Sequence, residues 1–217
     1  TDKEWCDRIT EKLATATTLI SSDLQFDKLA VGDSHTAAYA DHNSCVVKRD
    51  GTTLFGQIKS DFEYIREHIK PHHDKITISL GNIDVRHHIC RLNIDWKSMY
   101  DKLFMFGESL PPWVAVEYSV PWPIEFEERR LPKSGFYKGA PFWGSREQRA
   151  DLVEEIREYM TDRVNVVTCP QEWYLIEPEQ YAKLRMEGTS SVHLNPNFYR
   201  RMNWGIQETI TLENFFG

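Results

Sequence analysis

The chain has 217 residues, 41% hydrophobic and 27% charged, with a formal net charge of -7. That is ample for one core, and the expected organisation is a single domain over residues 1–217. The acidic balance argues against a general nucleic-acid binder, and no apolar run approaches the roughly 20 residues needed to span a bilayer. Cys6, Cys45, Cys90 and Cys169 are scattered without a Cys-x-x-Cys pair, which excludes zinc ribbons and thioredoxin-like motifs. Such spacing fits reduced, buried thiols and a cytoplasmic location. The chain starts at Thr1 rather than Met, which points to processing or truncation.

In chain order, Asp2 to about Ser22 reads as a helix, with Trp5, Ile9, Leu13, Thr17 and Ile20 near helical spacing. Lys28 to Val31 is a short apolar run suited to a buried strand, broken by Gly32-Asp33. His35 to Ala40 is compatible with a helix. Ser44 to Lys48 reads as a second strand, with Asp50-Gly51 as a turn after it. Thr53 to Gly56 leads into a helix from Ser60 to about Lys70, where Ser60-Asp61-Phe62-Glu63 fits a capping box. His72-His73 reads as a solvated loop. Lys75 to Leu80 is a third strand, ended by Gly81, and Arg86-His87-His88 beyond it either line the ligand cleft or form a solvated turn.

Trp96 to Leu110 is a helix stopped by Pro111-Pro112, and Trp113 to Tyr118 is a fourth strand. The stretch from Ser119 to Gly144 is long, irregular and rich in proline and glycine. Its rings, Trp122, Phe126, Phe136, Tyr137, Phe142 and Trp143, are interleaved with Arg129, Arg130, Lys133, Lys138 and Arg146. They serve either as a substrate wall or as closure of the core edge. Ser145 to Thr161 is an amphipathic helix, Val164 to Thr168 a fifth strand, Glu177 to Met186 a short helix, and Pro196 to Gly205 a further helical stretch. Five alternations of strand and helix predict an α/β fold with a doubly wound, mostly parallel five-stranded sheet. Ligands of such sheets sit at the carboxyl ends of the strands.

Ser34 falls at a strand-to-helix turn. A hydroxyl there projects from the strand end, beside backbone N–H groups able to hold a negative oxygen. Its plainer role, shared with Asp33, is to cap a helix. Two further punctuation points are Gly81-Asn82-Ile83-Asp84 after the third strand and Ser190-Ser191-Val192-His193 near the C-terminus. These blocks, in this order, resemble the SGNH or GDSL hydrolases, with the first block in its Gly-Asp-Ser-His variant. The resemblance implies a three-layer α/β/α, flavodoxin-like fold and an esterase or acyl-transfer activity. It makes Ser34 the nucleophile and His193 the general base. It also implies an oxyanion and substrate-binding group from the N–H of Ser34, one glycine N–H, Asn82, Asp33 and Asp84. Gly56 is favoured over Gly51 for the glycine, because Gly51 looks like a turn residue.

Two positions depart from the family pattern. Asn82 sits one place early, with Ile83 where the family has Asn, and Ser190 replaces the Asp expected three residues before His193. An Asp there orients the imidazole; Glu187, a backbone carbonyl or a water would take over that task. The expected substrate is a small-molecule or glycan ester, a carbohydrate O-acyl group among the candidates, and no cofactor or metal is implied. O-acyl transfer on the same serine is an alternative, as is a catalytically impaired glycan-binding module. A metallophosphoesterase is the weaker rival: Asp33-x-His35 imitates a metal pair, but Ile83 replaces a required His.

Overall fold

A computed structural model of the chain describes residues 26–39, 44–122 and 138–168. The predicted helices at 2–22, 177–186 and 196–205, the loop residues 123–137, and His193 lie outside the described residues. Five strands form one sheet: β1 (Lys28–Gly32), β2 (Ser44–Lys48), β3 (Lys75–Ser79), β4 (Ala115–Ser119) and β5 (Val166–Val167). All pairings are parallel and the spatial order is β2-β1-β3-β4-β5. The expected α/β fold with a parallel five-stranded sheet is therefore observed.

The strands form where the sequence supplies short β-branched runs, and each sends alternate side chains to opposite faces. Leu29, Val31, Ile76, Ile78 and Tyr118 face one way into the main core. They meet α1 (Leu54–Lys59), α2 (Glu63–His68), α4 (Trp96–Glu108) and α5 (Arg146–Thr161) through residues such as Leu54, Ile65, Leu103 and Ile156. On the opposite face Ala30, Thr77, Ser79 and Ser119 are buried as well. The centre of the sheet is thus covered on both sides, as an all-parallel sheet requires.

Local chemistry explains the helix ends. Asp95 accepts from the N–H groups of Lys97 and Ser98 to start α4, and Ser145 with Gln148 makes a reciprocal capping box for α5. The capping box expected at Ser60 is absent. Ser60 instead closes α1, its hydroxyl donating to the carbonyls of Gly56 and Gln57. The helix predicted over 60–70 is consequently shortened to α2, and the residues expected only to lead into it form the separate helix α1. The break is made by Asp61 and Phe62 at positive φ, an unfavourable conformation for side chains of that size. Burial of the Phe62 ring on Phe106, centroids 4.5 Å apart, offsets the cost.

Other expectations are corrected by burial. Trp113 lies outside β4 and is 63% exposed. His73 is buried, its Nδ1 accepting from the N–H of Lys70, while His72 is exposed as predicted. The stretch from His35 forms only a single 3-10 turn, Thr36–Tyr39. Cys90 is exposed and Cys45 partly buried, both free, so neither is the fully buried thiol expected. No helix among the described residues is long and apolar enough to cross a membrane.

The largest departure follows β3. Arg86, His87 and His88, whose plainer reading is a solvated turn, are all buried. They belong to a π-helical segment, Asp84–His88, that runs into the short α3 (Ile89–Arg91). π-helical turns concentrate at functional sites.

Gly32 ends β1 with φ +152, and a Cβ there would collide with the backbone carbonyl of Ser79. The ends of β1 and β3 can approach this closely only because residue 32 has no side chain. Gly32→Ala is expected to destabilise the protein by roughly 3 kcal/mol or more. Gly51→Ala, at positive φ but in open space, should cost only about 1 kcal/mol. Urea denaturation of the two variants checks the contrast.

Candidate active site at the ends of β1 and β3

The sheet order creates the site. The chain leaves β1 for β2 on one side and then crosses to β3 on the other, so a crevice opens between β1 and β3 at their carboxyl ends. The loops after those two strands carry Ser34 and Asn82. They are joined at once by the N–H of Asp33, which donates to the carbonyl of Ser79 at 2.9 Å.

Asp33 is buried, and both carboxylate oxygens are occupied. Oδ1 accepts from the N–H of His35 at 2.9 Å, and Oδ2 accepts from Nδ2 of Asn82 at 2.9 Å. The Asn82 carbonyl in turn accepts from the N–H of Trp122 at 2.7 Å, just beyond β4. One polar chain therefore ties together the loops after β1, β3 and β4. The early placement of Asn82 in its block aims the amide at the residue beside Ser34. An amide nitrogen carries two protons, and Asp33 takes one of them.

Ser34 stands out against this background. Its neighbours Asp33 and His35 are each 1% exposed, whereas Ser34 is only half-buried. Among the described residues neither its hydroxyl nor its N–H has a hydrogen-bond partner. The capping role open to Ser34 from sequence is not the one it plays; Asp33 makes the local turn, its side chain accepting from His35 and its carbonyl from Thr36.

Asp84 and Gly56 hold positions other than the oxyanion and substrate-binding ones implied by the motif. Asp84 is fully buried, its oxygens accepting from the N–H of Leu54 at 2.7 Å and of Phe55 at 3.0 Å. It also pairs with Nδ1 of His88 at 2.9 Å. A carboxylate so occupied braces the start of α1 against the π-helical segment. The N–H of Gly56 donates to Oγ1 of Thr53, 2.9 Å away, inside the cap of α1, so it is not presented to a substrate. Gly51 sits in the exposed turn after β2.

His35, read above as the start of a helix, and Arg86, read above within the stretch after the third strand, join the site. His35 packs on Trp122, centroids 5.7 Å apart, and its Nε2 meets Nη2 of Arg86 at 3.3 Å. The signal for Arg86 was its place four residues after Asn82, amid apolar residues Val85 and Ile89 that mark a buried face. Trp122 and Phe142 are buried and close the core edge, while Trp143 is 46% exposed. The side chains of Asp33 and His35 are directed to separate partners rather than to a common point. No group of three metal-ligating side chains stands together among the described residues.

The fold and the site define a doubly wound α/β domain with a serine loop at its switch point. No protein-family model matches this sequence, and no curated protein matches it. Among solved structures, the chain resembles a Streptococcus pneumoniae protein provisionally described as a platelet activating factor. The identity is 15%, the coverage 92% of each chain and the TM-score 0.56. A lipolytic G-D-S-L family member from Veillonella parvula is 16% identical, with 81% of this chain and 92% of that one covered and a TM-score of 0.47. Est24, a carbohydrate acetylesterase from Sinorhizobium meliloti, is 14% identical over 81% and 94% of the chains, also with a TM-score of 0.47. At these identities the likeness is one of fold.

Burial pushes the Asp33 carboxyl up from its ordinary value of 3.8 to about 6, against the lowering effect of Asn82, the His35 N–H and Arg86. A folded-state value above the unfolded one means that Asp33's contribution to stability is full below about pH 4. It is lost as pH rises through about 6. That rise corresponds to about 3 kcal/mol. Asp33→Asn removes the titration, so its stability relative to wild type should improve by up to that amount between pH 4 and pH 7. Denaturant titrations of both proteins at several pH values measure the difference.

Proposed function

We propose that the protein is a serine ester hydrolase in which Ser34 is the nucleophile and His193 the general base. The observation that carries the reading is the state of Ser34. Its hydroxyl and N–H are unpaired among the described residues, at the switch point of a parallel sheet, between two buried and hydrogen-bonded neighbours. The block resemblance supplies the base, which lies outside the described residues.

The chemistry follows from those groups. The Ser34 hydroxyl attacks the ester carbonyl while His193 takes its proton. The carbonyl electrons move to oxygen, and the oxyanion is held by the Ser34 N–H and the second N–H of the Asn82 amide. Collapse expels the alcohol, which leaves with the proton from His193. Water then attacks the acyl-serine by the same route and releases the acid. If a second alcohol replaces that water, the product is a transferred acyl group, and every other step is unchanged. The substrate proposed is a small-molecule or glycan O-acyl ester. No cofactor enters any step.

Ser34→Ala and His193→Ala should each lower p-nitrophenyl acetate hydrolysis at least ~10³-fold, with the thermal unfolding midpoint retained. A fluorophosphonate should add to Ser34 in the wild type. Absence of that adduct, with hydrolysis unchanged in Ser34→Ala, would refute the assignment.

A further inference from the structure

We propose that Arg86 is a positioning residue for Ser34 and acts through His35; this rests on the ester-hydrolase reading above. The two residues flanking Ser34 are both gripped from the segment after β3. Asn82 holds Asp33 at 2.9 Å and Arg86 meets His35 at 3.3 Å. Asn82 and Arg86 are four apart, while Asp33 and His35 are two apart, so the pairs form a two-point clamp with Ser34 between its jaws.

The chemistry of the second grip is determined by its donor. A guanidinium has N–H donors and no acceptor, so Nε2 of His35 is the unprotonated nitrogen and accepts. The ring cannot turn away easily, because Trp122 packs against it and His35 is 1% exposed. Arg86 is itself fixed. It is 6% exposed, its carbonyl accepts from the N–H of Trp143 at 2.8 Å, and its guanidinium lies 5.7 Å from the Phe142 ring centre. Its positive charge also favours the ionised form of Asp33. Arg86 therefore connects the Phe142–Trp143 loop to the side chain of the residue that follows the nucleophile.

A clamp of this kind sets the direction of the Ser34 Cα–Cβ bond. Misplacement of a reacting group by about 1 Å costs on the order of 10²-fold in rate. The effect should fall on kcat, because a small ester gains its binding from elsewhere. Arg86→Met is expected to lower kcat for p-nitrophenyl acetate by roughly 10–100-fold while KM changes less than about threefold. His35→Phe, which keeps Arg86 and a ring against Trp122, should show the same loss. The double variant should be no worse than the poorer single one, because both remove one link.

The measurements are steady-state kinetics and fluorophosphonate labelling rates on all four proteins, with circular dichroism as the check on folding. If Arg86→Met does not fold, His35→Phe alone decides: a wild-type kcat in that variant overturns the proposal. Wild-type rates in Arg86→Met, or losses that multiply in the double variant, overturn it equally and leave Ser34 as nucleophile. A wild-type protein that neither hydrolyses the ester nor takes the phosphonate label removes both readings.

Discussion

The buried carboxylate of Asp33, held by the amide of Asn82, is the interaction on which the candidate site depends. It crosses the crevice between β1 and β3, where parallel strands diverge and backbone pairing ends. Without such a bond the two loops would each have to satisfy their polar groups alone or in water. The bond extends through the Asn82 carbonyl to the N–H of Trp122, so three loops share one geometry. Burying a charge is costly, and the upward shift of Asp33 is that cost made visible. The hydrogen bonds from Asn82 and the His35 backbone recover part of it. The remainder is a debt against stability that an apolar pair would not carry.

A second carboxylate repeats the arrangement one turn further on. Asp84 accepts from the first two N–H groups of α1 and from His88. Thr53 caps the third. The orphan donors at the start of α1 are thereby satisfied from outside as well as inside the helix. With Asp84, Arg86, His87 and His88 all buried in five residues, this segment reaches the loop after β1, the start of α1 and the stretch before α5. Arg86 reaches His35, His88 lies against Phe55, and His87 lies against Phe142. Polar burial this dense fixes directions rather than adding net stability, since each partner must lie at a bonding distance and angle.

Much of the scaffold was legible in the sequence because its signals are local. Ser44 to Lys48 forms a strand over the predicted residues, and Ser145 caps α5 through a pattern that spans only four positions. The same four-residue pattern misled at Ser60, where the side chain found carbonyls of the preceding helix before it could serve the next one. The polar residues after β3 misled for a different reason. Arg86, His87 and His88 look solvated as a string of letters. Their burial depends on His35, Phe142 and Trp143, which lie about 50 residues away on either side. Asp84 likewise matched a motif by its spacing, but its partners Leu54 and Phe55 are 30 and 29 residues upstream. No pattern within one segment encodes such a pairing. Ser34 was legible because a glycine-broken strand leaves few roles for a serine at its end.

That asymmetry bears on what Ser34 is for. Among the described residues, the polar side chains of the loops after β1 and β3, Asp33, His35, Asn82, Asp84 and Arg86, are buried and hydrogen-bonded. A loop stabilised for its own sake would also use the serine, the residue type most readily spent on capping a following turn. Here Asp33 makes that turn, and both donors of Ser34 remain unspent among the described residues. A hydroxyl held rigidly by its neighbours yet bonded to none of them is positioned for a partner that arrives later. Rigid supports around an unsatisfied group are what preorganisation of a reacting atom requires.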